Sequence, residues 1–396
     1  MSTWGGPVDV TLTGGRVVTP DGVLEQGWVA VRDGRIAAVG EGVAPDGPTT
    51  DVNNSWLVPG FVDIHCHGGG GEAFTSADPA RVIKAANAHR RHGTTTLLAS
   101  LVSRPIPELA DQVKALTELV QDNVVAGIHL EGPFLSAARC GAHDPAILCP
   151  PDRASIDKLL DAGNAGNAGN SGTNTNTVRM ITIAPELEHG VDAVRHLVGN
   201  GVLAAIGHTD ATEAQIRPAV EAGATVATHL FNGMRPLHHR EPGPIGALLD
   251  DERVTVELIC DLVHLHPTAV RLAARHAGLN RTVLVTDAIA AAGVGDGVYD
   301  VGGLEVRVVD GVPTLAGGAA LAGSTLTMDA AFRNAVHSCG LTIQEAVHAT
   351  STRPARLLGL QDETGELRAG LAADIVVLDA DLKPREVMFR GAWVKD

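Results

Sequence analysis

Hydrophobic positions follow different periods in different parts of this chain. Residues 8–58 alternate apolar and polar in short runs, "VTLTGGRVVTP" and "GWVAVRDGRIAAVG", broken by Gly-Gly and Asp-Gly pairs. Period-two alternation around such pairs predicts β-hairpins. The C-terminal stretch "ADIVVLDADLKPREVMFRGAWVKD" has the same flavour. Between these ends lie compact apolar runs: "FVDIH", "TTLLAS", "VVAGIHL", "RMITIAP", "VLAAIG", "ATVATHL", "VTVELIC" and "TVLVTD". Amphipathic stretches such as "DPARVIKAANAHRRHG" and "IPELADQVKALTELVQ" separate most of them. Strands alternating with amphipathic helices predict βα units closing into a (β/α)8 barrel.

This pattern divides the chain into three parts. Residues 1–58 and 366–396 supply the strands of one small β-sandwich domain, and 59–365 form the TIM-like barrel. "VYDVGGLEVRVVDGVPTLAGG", after the eighth run, predicts a hairpin inserted before the last helices. "AGNAGNAGNSGTNTNT", Ala162 to Thr177, is low-complexity, and such a polar, Gly-rich stretch predicts a mobile surface loop.

Composition narrows the function. Aromatic residues make up only 3%, so the core must be aliphatic. A net charge of −16 argues against nucleic acid or an anionic membrane as partner, and an anionic substrate needs a local basic pocket. The five cysteines are scattered, which does not suggest a disulfide framework. The N-terminus lacks the basic and apolar regions of a signal peptide, and no apolar run reaches about 18 residues. A cytoplasmic enzyme is the expectation.

In such barrels, chemistry collects at the C-terminal strand ends. Five of those ends carry His, Glu or Asp: His65 and His67, His129 and Glu131, His208, His229, and Asp287. Any one of them also fits a capping or packed polar role. Together they are hard to explain by packing, because buried polar groups without partners are costly. Imidazole and carboxylate donors suit zinc and similar divalent ions. Alternation along a strand sends His65 and His67 to one face and Cys66 to the other, where a small core residue is expected.

Many two-metal barrels bridge their ions with a carboxylated lysine. The five lysines here, Lys84, Lys114, Lys158, Lys383 and Lys395, all lie away from the strand ends. If two ions bind, Glu131 is the natural bridge, with His65 and His67 on one ion and His208 and His229 on the other. His129 then ranks behind these ligands. A carboxylate beside a metal-activated water can take its proton and return it to a leaving group, the role expected of Asp287, which can also ligate the metal. This apparatus suits hydrolysis of an amide.

The "HxH", the later His, His and Asp, and the motifs "HLEGPF", "GHTDA", "HLFNGM", "REPG", "VTDAIAAAG" and "LAGSTLTM" resemble the N-acetylglucosamine-6-phosphate deacetylase branch of the amidohydrolase superfamily. The match covers nearly the whole chain, with the low-complexity loop as the main exception. The resemblance implies hydrolysis of the N-acetyl group of a sugar phosphate, with Glu131, His208 and His229 as metal ligands and Asp287 as acid/base. His65 and His67 match the members that carry a second ion. Substrate contacts carry over to Ala142 and His143, Asn232 and Gly233, and Arg240. They also carry over to Asp261, Leu262, Val263 and His264, and to Leu321, Ala322 and Gly323.

Arg240 would hold the phosphate with its rigid fork, the alternative being a solvated surface arginine. His143 or His264 would polarise the carbonyl or hold a sugar hydroxyl. The alternative for His264 is a satisfied core histidine, and the neighbouring His266 is expected to be one. Leu262 stands where glycine is expected, which predicts a slightly narrower pocket. The resemblance also implies a homodimer. Two rivals remain: a relative acting on a cyclic amide, an N-acyl amino acid or an aminopurine, and a barrel that has lost catalysis and serves as a binding module.

Overall fold

A computed structural model describes residues 6–164 and 176–395. Residues 165–175, most of the predicted mobile loop, lie outside the described residues. The chain divides into two compact units. One comprises the chain through Asp63, Asn87–Thr96 and the stretch from Thr327 onward; the other comprises Ile64–Ala86 and Leu97–Leu326.

The strands of both termini share one eight-stranded sheet. Its path runs from Ala392–Trp393 through Pro384–Phe389, Ile375–Leu378, Trp56–Pro59, Val10–Thr19 and Gly22–Arg32 to Arg35–Glu41, and Thr49–Asp51 also pairs with Val10–Thr19. The two chain ends meet where Val376 pairs with Val58 and Val377 with Leu57. Leu12, Val29, Val31, Leu57, Ile375 and Met388 form an almost entirely aliphatic core beneath it. Each such side chain contributes about 1.5–3 kcal/mol by leaving water.

Gly14-Gly15 is not the expected turn. Val10–Thr19 is one continuous strand whose register with Gly22–Arg32 shifts between Leu12 and Gly15, so the glycines form a bulge. Gly14 has φ +69°, and a Cβ there would stand 2.6 Å from the Asp51 carboxylate.

All eight central runs form strands: Phe61–Cys66, Thr94–Val102, Ile128–Glu131, Val178–Ile183, Leu203–Ile206, Val226–Ala227, Thr255–Ile259 and Thr282–Val285. They are parallel neighbours in chain order. The ring closes from last to first through a parallel bridge between Cys66 and Ala288 and the Asp287 N–H donated to the His65 carbonyl at 2.8 Å. This is the expected (β/α)8 barrel. Its strands read as near-continuous apolar runs because both faces are covered. A helix follows each strand, and Ile106–Gln121 shows the pattern: Leu109, Val113 and Leu116 are buried at helical spacing.

The insert after strand eight has three strands rather than two: Gly297–Val301, Leu304–Val309 and Val312–Leu315. The second turn comes at Asp310-Gly311, where both residues have positive φ. Val301, Val306 and Val308 pack on Val102, Ile289, Ala291 and Ala322. No helix of the described residues is long and apolar enough to cross a membrane.

Candidate active site

The sequence-predicted ligands meet at the C-terminal ends of strands one, three, five, six and eight. His208, His229 and Asp287, just beyond their strands, have φ of +45°, +28° and +50°. Left-handed backbone is uncommon for residues with a Cβ, and it clusters where a tightly packed site holds it in place. Here it turns the side chains inward from strands that have already ended.

Glu131 stands at the centre. Its Oε1 lies 3.1 Å from His208 Nε2, 2.9 Å from His229 Nε2 and 3.5 Å from His65 Nε2, while Oε2 lies 3.1 Å from His67 Nε2. Asp287 Oδ1 lies 3.4 Å from His65 Nε2 and 3.2 Å from His67 Nε2. All six residues are buried.

The outer nitrogens set the tautomers. His67 Nδ1 faces the Ser100 carbonyl at 3.2 Å, His208 Nδ1 the Arg139 carbonyl at 2.8 Å, and His229 Nδ1 the Asn232 carbonyl at 3.1 Å. A carbonyl can only accept, so each Nδ1 carries a proton, and in the neutral ring that ligates a metal each Nε2 turns a lone pair inward. His65 Nδ1 faces the Glu257 carboxylate at 3.2 Å, with the same consequence. Two inward pairs then face each other at 3.1 Å, His65 with His67 and His208 with His229. Two such lone pairs repel unless a proton or a metal ion lies between them.

Charge points the same way. Burial alone would raise Glu131 and Asp287, yet His65 and its neighbours hold both well below the usual carboxylate range. Burial pulls His67 down, but hydrogen bonds to Asp287 and Glu131 push it up to about 9. The cluster therefore demands positive charge. Donor atoms of His65, His67, Glu131 and Asp287 lie within 4.8 Å of one another, a set that fits a divalent ion. Glu131, His143 and His208 form a second such group. His143 differs in tautomer, however: its Nδ1 accepts from the Ser103 N–H at 3.4 Å, so its Nε2 carries the proton. It faces Glu131 Oε2 at 3.4 Å as a donor, not as a ligand.

The cluster forms the polar part of a cleft of 270 Å³. Ala142, His143, Asn232, Gly233, His264, Leu321 and Gly323 line it, as expected of substrate contacts. Other expected contacts do not. Asp261 holds His264 Nδ1 at 2.7 Å, and Ala322 is buried in the core under the three-stranded insert. Val263 is 46% exposed. Leu262 does not narrow the cleft; its consequence is in the backbone, which takes φ +67° where glycine would be free of strain. His266 is exposed and caps helix Pro267–Ala277 by accepting from the Thr268 N–H, so it is not a core histidine.

Arg240 is exposed and lies apart from the cleft, in a surface depression with Arg217 and Arg235. Among the described residues, no arginine or lysine lines the cleft. The Cys66 side chain is buried, and its thiol faces the Gly68 carbonyl at 3.7 Å. His129 spends both nitrogens on Ser100 and Thr182, at 3.0 and 2.8 Å, with its ring against His65.

Sequence reasoning passed over the apolar wall, Val102, Ile289 and Val301, because apolar lining residues look like any core residue. It also passed over Glu257, fully buried on strand seven. A carboxylate in the middle of "VTVELIC" was a legible signal, since an isolated buried charge is costly.

Residues 56–395 match the model of the amidohydrolase family. N-acetylgalactosamine-6-phosphate deacetylase of Escherichia coli O157:H7 is 37% identical, with 95% of this chain and 97% of that protein covered. N-acetylglucosamine-6-phosphate deacetylase of Lysinibacillus sphaericus is 35% identical, with 95% of each covered. Among solved structures, a mutant of N-acetyl-D-glucosamine-6-phosphate deacetylase from Mycobacterium smegmatis in complex with N-acetyl-D-glucosamine-6-phosphate is 45% identical. It superposes with a TM-score of 0.92 over 99% of this chain and 100% of its own.

Proposed function

This chain belongs to the amidohydrolase family, and from that premise we propose that it hydrolyses N-acetylglucosamine 6-phosphate to glucosamine 6-phosphate and acetate. The observation that carries this reading is the ring of inward imidazole nitrogens around Glu131, at one end of a sugar-sized cleft. Relatives along nearly the whole chain are named for deacetylation of an amino-sugar phosphate.

Two divalent ions, zinc by donor type, would be held by the two facing pairs, His65 with His67 and His208 with His229, with carboxylate oxygens from Glu131 and Asp287. A bound ion supplies Lewis acidity, polarising the acetyl carbonyl and acidifying water. Asp287 takes the proton of the attacking water and delivers it to the departing amine. The His143 Nε2–H beside Glu131 stabilises the developing oxyanion. His264, steered by Asp261, and Asn232 hold sugar hydroxyls. Val102, Ile289 and Val301 form the dry wall.

The phosphate needs a cation that the cleft of one chain does not provide. Arg240, exposed and outside its own cleft, fits that task in a homodimer, reaching the cleft of a second copy. R240A and D287N variants would each be inactive alone. Co-expressed, they would recover about a quarter of wild-type activity, because half the dimers are mixed and each has one complete site. No recovery would return Arg240 to its own chain or to plain solvation.

Acetate release tests the reaction itself. The expected result is turnover of N-acetylglucosamine 6-phosphate and none of the unphosphorylated sugar, with metal in the active protein. The relative named for the galactosamine epimer makes N-acetylgalactosamine 6-phosphate the necessary third substrate. Equal rates with and without phosphate, or no acetate from either phosphate, would refute the assignment.

A further inference from the structure

The four inward-facing histidines are held from behind by unequal partners. Backbone carbonyls hold His67, His208 and His229, and they come with the fold. His65 alone is held by a side chain, Glu257. The same oxygen, Glu257 Oε2, also accepts the backbone N–H of His229 at 3.1 Å. One carboxylate oxygen thus grips the ring of a ligand at one ion position and the backbone of a ligand at the other. Glu257 Oε1 has no hydrogen-bond partner among the described residues, although the side chain is fully buried. A buried carboxylate with a free oxygen costs stability. That cost argues for a role at the neighbouring site rather than in the core.

We propose that Glu257 is a positioning residue that holds His65 in its ligating tautomer and couples the ion position at His65 and His67 to the one at His208 and His229. The proposal rests on the two-ion reading given above. Acting through other residues, Glu257 touches no substrate. Its carboxylate keeps the His65 Nδ1–H in place and so presents Nε2 to the ion. Its second bond fixes the start of the turn in which His229 has φ +28°. Loss of the carboxylate frees the His65 ring to rotate or change tautomer. It also leaves the His229 N–H buried without a partner. The ion at His65 and His67 should therefore be lost first, and the other ion should bind more weakly.

Metal content per chain, measured by mass spectrometry after equilibration with graded free zinc, tests this in wild type, H65A, E257Q and E257L. Circular dichroism and melting of the chelator-stripped proteins run in parallel. Wild type should bind two ions. E257L should match H65A in losing one, with the second weakened about tenfold or more, while its stripped form keeps the circular dichroism spectrum of stripped wild type. E257Q keeps an acceptor oxygen and should restore the second ion with affinity reduced about tenfold. Two ions bound to E257L with wild-type affinity would overturn the proposal. If E257L does not fold, E257Q decides, and wild-type affinity for both ions overturns it. A wild type that binds fewer than two ions would overturn the two-ion reading itself, and H65A would show that independently of Glu257.

Discussion

Replacing Asp287 by Asn separates proton transfer from everything else the position does. Asn matches Asp in shape and tolerates the left-handed backbone, φ +50°, so the turn after strand eight should persist. Asp287 Oδ1 lies 3.4 and 3.2 Å from the Nε2 atoms of His65 and His67. An amide oxygen can occupy that point but cannot accept and release a proton. Proton transfer by a positioned group contributes about 10²–10⁴ in rate. The lost negative charge adds to that in a buried site, so the expected fall in kcat is about 10³–10⁴, a barrier raised by roughly 4–5.5 kcal/mol. His65, His67 and Glu131 remain as donors, so metal content should stay near wild type. The assay is acetate release at saturating N-acetylglucosamine 6-phosphate, with metal measured on the same sample. A variant retaining more than about a tenth of wild-type kcat would remove Asp287 from proton transfer. A variant that had lost its metal would make Asp287 a ligand first.

Gly323→Ala should disturb the same residue from behind, because a Cβ there would stand 2.8 Å from the Asp287 carbonyl and 2.6 Å from Ile289 Cγ2. The expected result is at least about a tenfold loss of kcat/KM in a protein with an unchanged circular dichroism spectrum; full activity would mean the contact is soft. Leu262→Gly should raise the melting temperature by relieving about 1 kcal/mol of left-handed strain, without changing KM. A lower melting temperature would show that Leu262 packing outweighs the strain. Asp329 provides a pH test. Burial would raise its carboxyl, but His92, Thr327 and Arg333 bring it down to about 2. A depressed carboxyl stabilises the fold above its unfolded value near pH 4, and that stability is lost as pH falls toward 2. Asp329→Asn should therefore cost about 2 kcal/mol in urea unfolding at pH 7 and progressively less below pH 4, whereas a cost independent of pH would mean the shift is not its source.

Much of this enzyme was legible in one dimension because its signals are local. A parallel strand covered on both faces must be a short apolar run, so all eight barrel strands could be read. The barrel rule then placed His65, His67, Glu131, His208, His229 and Asp287 at one end, and period-two alternation separated Cys66 from its neighbours. Local pattern failed where a residue has two compatible conformations. Gly14-Gly15 reads as a turn but forms a bulge, because the strand runs on to Thr19 and reverses only there to pair with Gly22–Arg32.

Only tertiary structure could show the backs of the histidines. His229 is held by the carbonyl of Asn232, three residues on, but Ser100, Arg139 and Glu257 lie far along the chain from His67, His208 and His65, and hydrogen-bond partners at such separations leave no periodic trace. It also showed that Arg240, expected from its motif to hold phosphate, is not among the residues that line its own chain's cleft. A motif can name the group expected to recognise phosphate; only the path of the loop carrying it shows where that group lies.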